Sequence, residues 1–109
     1  MGRAVRSWAG DARVLAIGSG GLSHQLEGER AGHLDPEFDR AFMDSLAADP
    51  AWAAQFPINE LVRRAGTQGI ELLNWLAARG ALDDDVRELH RNYHIPISNT
   101  AAATMLLAR

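Results

Sequence analysis

The chain has 109 residues, and its 47% hydrophobic content can supply the core of one small domain. Eleven arginines stand against fourteen acidic residues, so the net charge of −3 creates no basic surface and argues against a nucleic-acid partner. No apolar run has the length of a membrane span, and the absence of cysteine excludes disulfides and thiolate metal sites and fits a reducing cytoplasm.

The first third of the chain predicts one helix end and one strand. Gly2–Trp8 carries apolar residues at helical spacing and reads as the tail of a helix. Arg13–Ile17 is short, apolar and followed by Gly-Ser-Gly-Gly, as a buried strand of an α/β sheet would be. Residues 22–34 contain two interrupting glycines and predict a short helix followed by a loop. Because the chain starts inside an element, we expect it to be part of a larger unit.

A well-marked helix is predicted from position 35 onward. Asp35 is a typical N-cap and Pro36 suits the first helical position. The helix should stop before Pro50, with a further helical turn over 51–56. Four apolar side chains recur along one face of the main helix: Phe38, Phe42, Met43 and Leu46.

The last half of the chain predicts three more helices and a final strand. A short helix is capped by Asn59 and ended by Gly66, and a strong helix over Ile70–Arg79 is closed by Gly80. Asp83 is expected to cap a third helix that runs to about Tyr93. Residues 100–109 are rich in alanine, which favours helix, but a closing strand beside Arg13–Ile17 suits an α/β sheet better, and we predict that strand.

His24 is the first candidate for chemistry. It follows the predicted strand and the glycine-rich turn, where α/β proteins often place reactive groups. Histidine exchanges a proton near neutral pH, although a lone histidine in such a loop is more often a structural hydrogen bonder than a catalyst. Glu71, the second candidate, lies among Ile70, Leu72 and Trp75 near the start of a helix. The helix dipole favours a carboxylate there, but apolar surroundings would call for a charged partner.

Three segments, in order, carry a resemblance to one enzyme family. GSGGLSHQLEGERAG (Gly18–Gly32), GTQGIELLNWLAARGAL (Gly66–Leu82) and NYHIPISNT (Asn92–Thr100) resemble the class III extradiol ring-cleavage dioxygenases. In particular, the chain looks like the catalytic β subunits of the protocatechuate 4,5-dioxygenase and gallate dioxygenase type. The resemblance covers nearly the whole chain but only the C-terminal part of the family's catalytic domain, so residues 1–109 are expected to form that part of an α/β domain, a short sheet with packed helices.

The resemblance implies a site and a reaction. His24 would be the acid/base residue, Glu71 the carboxylate ligand of Fe(II), and Ser98 and Asn99 would contact the ring carboxylate of the substrate. The reaction would be cleavage of a carboxylated catechol by dioxygen, next to its two hydroxyls. Two iron-binding histidines would come from the absent N-terminal half or from a second chain, and a small α subunit is a further expected partner. The isolated chain is therefore expected to be inactive, and the alternative is a non-catalytic fragment or interaction module.

Other motifs point elsewhere with less support. His90 and His94 are spaced i, i+4 and would share a helix face that could bind a metal, but the spacing lacks the glutamate of HExxH. His33 is expected at the surface, and Arg30 as a structural ion-pair former. The turn GSGGLSH matches neither GxGxxG nor a phosphate-binding P-loop, and no GxSxG elbow is present. For Ser98 and Asn99, the alternative to substrate binding is an ordinary turn.

Overall fold

A computed structural model describes residues 1–109, and its regular structure is mainly helical. The chain forms one short sheet of two antiparallel strands and a single turn of 3-10 helix at Gln68–Glu71. The helices are α1 (Gly2–Arg6), α2 (Pro36–Ala48), α3 (Pro50–Ala54), α4 (Ile58–Ala65) and α5 (Leu72–Arg79), and the strands are β1 (Arg87–His94) and β2 (Ala102–Ala108). No helix is long and apolar enough to cross a membrane.

Helix α2 is the element that the sequence predicts best. The carboxylate of Asp35 accepts a hydrogen bond from the Phe38 amide at 3.0 Å, and Pro36 opens the helix as predicted. The helix ends at Ala48, before Pro50. The four apolar residues of its predicted face are all buried, so the helix forms one wall of the core. The other buried apolar side chains of that core are Leu22, Ala53, Leu61, Ala65, Leu72 and Ala101.

Two of the later helices differ from the prediction in their first residues. Helix α4 starts at Ile58 after Pro57, so Asn59 lies inside the helix and caps nothing, while Gly66 ends it as predicted. The helix predicted over Ile70–Arg79 is divided into a 3-10 turn and α5, and it does end at Gly80. Near that end, the buried Arg79 donates a hydrogen bond to the Leu46 carbonyl at 2.6 Å, which ties α5 to α2.

The helix predicted from Asp83 to Tyr93 is wrong, because this stretch contains β1. Strand β1 pairs with β2 in an antiparallel register that runs from Arg87 opposite Ala108 to His94 opposite Ala102. The apolar spacing of Val86, Leu89 and Tyr93 favours a helix locally, but antiparallel pairing with β2, the next strand along the chain, overrides that preference. The final strand is confirmed at Ala102–Ala108. Its partner is β1 and not Arg13–Ile17.

Arg13–Ile17 is extended but is not a strand in this structure. None of its backbone groups is hydrogen-bonded to another part of the chain, and Val14, Leu15 and Ile17 are exposed. A strand requires a paired edge, and none is supplied here. Residues 22–34 form bends and turns without the short helix that we predicted. The α/β prediction therefore holds in a coarser form, as helices packed on a short sheet.

Candidate active site

The imidazole of His24 is held in a defined orientation. Its ring is buried, and Nδ1 lies 2.8 Å from the carbonyl oxygen of Leu22. Because a carbonyl only accepts, Nδ1 must carry the proton in this hydrogen bond. In the neutral ring, Nε2 then keeps its lone pair. The backbone amide of His24 donates to the Ala65 carbonyl at 2.8 Å, which fastens the residue to the end of α4. The ring is therefore oriented with its basic nitrogen free.

Glu71 is the group that Nε2 of His24 approaches. Oε2 of Glu71 lies 3.9 Å from Nε2 and accepts a hydrogen bond from the Gly21 amide at 2.8 Å. The separation is too long for a hydrogen bond. The apolar sequence neighbours of Glu71 do not bury it, because 47% of its side chain is exposed while Leu72 enters the core. The carboxylate thus faces an open side of the molecule.

The glycine-rich turn is fastened onto α5 directly beside Glu71. Asn74 donates to the Ser19 carbonyl at 2.8 Å and the Trp75 indole donates to the Gly20 carbonyl at 2.9 Å. Gly20 has φ of 151°, and a Cβ added there would lie 2.6 Å from the Cβ of Glu71. A glycine is therefore required for the turn to pass so close to the carboxylate-bearing residue.

Gly66 has the same function on the other side of His24. Its φ is 88°, and an added Cβ would lie 2.2 Å from the carbonyl oxygen of His24. The end of α4 can reach the histidine segment only because this position lacks a side chain. The two glycines show why the segments that carry His24 and Glu71 meet, although they are far apart in sequence.

A buried carboxylate, Asp39, is hydrogen-bonded to the residue before His24, and this contact was not predicted. It is fully buried and accepts hydrogen bonds from the Ser23 amide at 2.8 Å, the Ser23 hydroxyl at 2.6 Å and the Tyr93 hydroxyl at 2.8 Å. Burial raises the pKa of Asp39, and these hydrogen bonds act in the opposite direction. Burial and the contact with Asp39 also raise the pKa of Tyr93. The sequence could have predicted this burial, because Asp39 lies three positions before Phe42 and four before Met43 and so shares their helix face.

Ser98 and Asn99 lie in an exposed turn. The Asn99 amide donates to the Pro96 carbonyl at 3.0 Å, and Asn99 has a left-handed φ of 55°, as the turn interpretation predicts. The turn leads directly into Ala101, which exchanges backbone hydrogen bonds with Leu22 and Ser23. The two predicted substrate-binding residues are thus close in sequence to the strand that adjoins the His24 segment, and no hydrogen bond joins either to His24 or Glu71.

The other histidines do not form a metal site. His90 and His94 lie on a strand, where positions four apart are separated by roughly 13 Å, so the shared helix face that we considered is ruled out. His33 is half-buried and its Nε2 lies 2.7 Å from the Arg64 carbonyl. Arg30 forms no ion pair but donates to the carbonyls of Val62 and Arg63 at the end of α4. These basic groups stabilise a helix end.

The donors present do not make up an iron site by themselves. No group of three His, Cys, Asp or Glu side chains is placed to hold a metal ion. Glu71 is a partly exposed carboxylate with one histidine nearby, and Nδ1 of that histidine is already engaged. A facial site for non-haem iron needs two histidines and a carboxylate. The residues of this chain do not bring two histidines and a carboxylate together in that way.

Comparisons with known proteins agree with the family that the three segments indicated. Residues 1–104 match the family described as the catalytic LigB subunit of aromatic ring-opening dioxygenase. The chain is also similar to a gallate dioxygenase of Pseudomonas putida, with 39% identity over 105 residues. That match includes 96% of this chain but 31% of the relative. The chain thus spans about a third of the length of this relative.

Proposed function

Because the chain belongs to the LigB family of catalytic subunits of aromatic ring-opening dioxygenases, we propose that it forms part of an extradiol ring-cleavage site. The substrate class is a carboxylated catechol, such as protocatechuate or gallate, with dioxygen as co-substrate. The name of the similar Pseudomonas putida protein, a gallate dioxygenase, supports this class. Residues 1–109 are then the C-terminal part of a single catalytic domain.

The orientation of His24 is the observation that carries the proposal. Its Nδ1 proton is engaged by the Leu22 carbonyl, so Nε2 is the atom that accepts a proton from a catechol hydroxyl and returns it later. Oε2 of Glu71 lies 3.9 Å from that nitrogen. Burial of the ring limits exchange of that proton with bulk water. The arrangement is that of an acid/base residue whose free ring nitrogen lies beside a partly exposed carboxylate.

Glu71 is the iron ligand that this chain contributes. Its exposed carboxylate has one oxygen held by Gly21, and the second is the one that a metal would use. Bound Fe(II) would activate dioxygen and the catechol, with two histidines supplied from outside these residues. Because the complete ligand set is not present here, the isolated chain is expected to be inactive.

Ser98 and Asn99 are the proposed contacts for the carboxylate of the substrate. Both side chains carry hydrogen-bond donors that suit an anion. The turn presents them to solvent next to the strand that adjoins the His24 segment. A small α subunit that covers the site is a further proposed partner.

Oxygen uptake tests the proposal. The purified chain with ferrous iron and either protocatechuate or gallate is expected to consume no oxygen. Activity should appear when the remainder of the Pseudomonas putida relative, expressed without the matched region, is added. Uptake by the chain alone would show that its own residues complete a metal site, and no uptake with the remainder present would favour a non-catalytic interaction module.

His24→Gln provides the sharper test in the active mixture. We expect kcat to fall by about 10²- to 10⁴-fold, the usual contribution of a positioned acid/base group. His33→Gln is the matched control, because His33 is bound to the Arg64 carbonyl, and it should keep activity within a few-fold. Equal losses in the two variants would mean that His24 has no special role.

A further inference from the structure

An apolar groove runs along one side of the molecule, away from His24 and Glu71. Its volume is about 330 Å³, and it lies between residues 14–18 and β2, with α5 at its base. Twelve of its fifteen lining residues are hydrophobic, so water gains few hydrogen bonds there. Neither proposed chemical group lines it, and the groove is therefore not part of the site described above.

Both long walls of the groove are backbone edges. Consecutive residues line each wall, Val14–Gly18 on one side and Ala103–Leu107 on the other. Successive side chains of an extended segment point to opposite faces, so one face exposes only every second residue. A groove that is lined by every residue of such a segment therefore lies along its edge. An edge presents a row of amide and carbonyl groups as well as side chains.

The polar backbone groups of these edges are unpaired within the chain. Strand β2 pairs with β1 on one side only, and residues 13–17 have no backbone hydrogen bond at all. The two walls are joined at one end, where Leu22 donates to the Ala101 carbonyl at 2.9 Å. Beyond that junction no backbone hydrogen bond joins the two walls, and the groove lies between them. The molecule thus contains a fork of two strand edges with an apolar space between them.

The accessible surface and the radius of gyration are both larger than those of a compact domain of this size, as expected if a groove is left unfilled. The accessible surface is 6995 Å², whereas a compact monomer of this mass has about 5,900 Å². The radius of gyration is 14.8 Å, against about 13 Å for a typical domain of this length. Leu15 and Ile17, on one wall, are 72% and 77% exposed. Excess surface of this kind is a mark of an interaction site.

We propose that this groove takes up one apolar β-strand from the remainder of a LigB-type catalytic domain, hydrogen-bonded to both edges. A strand is the occupant that satisfies both rows of backbone groups at once, whereas a helix or a small molecule satisfies neither. Its side chains would meet apolar walls and must themselves be apolar. The remainder is the expected source because the chain matches 31% of its relative. This identification rests on the proposed function, while the strand geometry does not.

Hydrogen exchange of backbone amides, read residue by residue, tests the proposal. The ¹⁵N-labelled chain is measured alone and mixed with the remainder of the Pseudomonas putida relative. The relative's own matched segment with the same remainder is the positive control for assembly. We expect a one-to-one complex and at least tenfold slower exchange of amides in both 13–17 and 103–107.

Two lysine substitutions distinguish binding in the groove from nonspecific hydrophobic association. Leu15→Lys places a charge on one wall and should weaken association at least tenfold, without unfolding the chain, because Leu15 is already exposed. Ile58→Lys is the matched control, since Ile58 is also exposed and lies outside the groove, and it should associate like the unchanged chain.

Each other outcome contradicts the proposal. Protection of only one edge excludes insertion between the two. Protection of both segments in the chain alone means that the groove closes on itself if the chain is monomeric, or holds a second copy if it is dimeric. Failure to associate, when the positive control assembles, also excludes it. Inserted but inactive complexes would instead contradict the proposed function alone.

Discussion

Asp39, Ser23 and Tyr93 form a buried network directly under the histidine segment. The carboxylate of Asp39 receives three hydrogen bonds, two of them from Ser23, which precedes His24. The Ser23 hydroxyl in turn accepts from the Asp35 amide at 2.8 Å, at the start of α2. A buried carboxylate with its acceptors filled fixes the position of its donors, so this network locates the backbone that bears His24.

Tyr93→Phe should destabilise the chain in a pH-dependent way. It removes one hydrogen bond to a buried carboxylate, and we expect a loss of about 1–3 kcal/mol in the free energy of unfolding at pH 7. The native pKa of Asp39 lies above its ordinary value of 3.8. Its contribution to stability is therefore complete below that value and is lost as the pH rises through the native pKa. The hydrogen bond from Tyr93 lowers the pKa of Asp39. Without it the native pKa rises further, and more stability is lost as the pH increases.

Urea unfolding between pH 4 and 8 measures this effect. The difference between the unchanged chain and Tyr93→Phe should grow as the pH rises. In an Asp39→Asn background, position 39 does not ionise as the pH rises. The difference in unfolding free energy caused by Tyr93→Phe should then be nearly constant with pH. A difference that is largest at pH 4 would mean that Asp39 is not the charged acceptor.

At the level of elements, the end of α4 packs directly against the backbone of the histidine segment. Gly66 ends the helix with a positive φ and packs against the carbonyl of His24. The 3-10 turn that follows leads within five residues to Glu71. The junction between α4 and α5 thus sets the distance between the two proposed functional groups.

Gly66→Ala and Gly28→Ala form a matched pair that tests this junction. Both positions have positive φ, 88° and 82°, so alanine incurs backbone strain of roughly 1–3 kcal/mol at each. An added Cβ at Gly28 meets nothing closer than 3.6 Å, whereas at Gly66 it would lie 2.2 Å from the His24 carbonyl oxygen. Gly66→Ala should therefore be the more destabilising by at least ~1.5 kcal/mol in urea unfolding. It should also shift the NMR resonances of the His24 ring, and equal effects would exclude a contact of this importance.

For the molecule as a whole, the distribution of apolar surface is uneven. The core lies between α2, α4 and the start of α5, while Val14, Leu15 and Ile17 remain outside it. A dye that fluoresces on exposed apolar surface, such as ANS, should bind the folded chain. We expect Ile17→Lys to reduce this fluorescence at least twofold and Ile58→Lys to leave it nearly unchanged. Similar decreases in both variants would place the dye elsewhere.

Local signals determined much of this protein before its tertiary structure was known. The capping residue and proline at the start of α2, its apolar spacing and the glycine after α4 act within a few residues, so the sequence predicts them directly. The three family segments likewise predicted membership of the dioxygenase family, which the family match confirms. The roles of His24, Glu71, Ser98 and Asn99 remain predictions.

Only the tertiary structure decided what depends on distant partners. Residues 87–94 became a strand because β2 lies beside them, and residues 13–17 did not because no edge pairs with them. The burial of Asp39, the exposure of Glu71 and the free Nε2 of His24 also depend on packing between segments remote in sequence. Helical periodicity depends on residues that are neighbours in sequence, so it can be recognised from the sequence alone. Strand pairing and burial depend on which surfaces of the folded chain pack together.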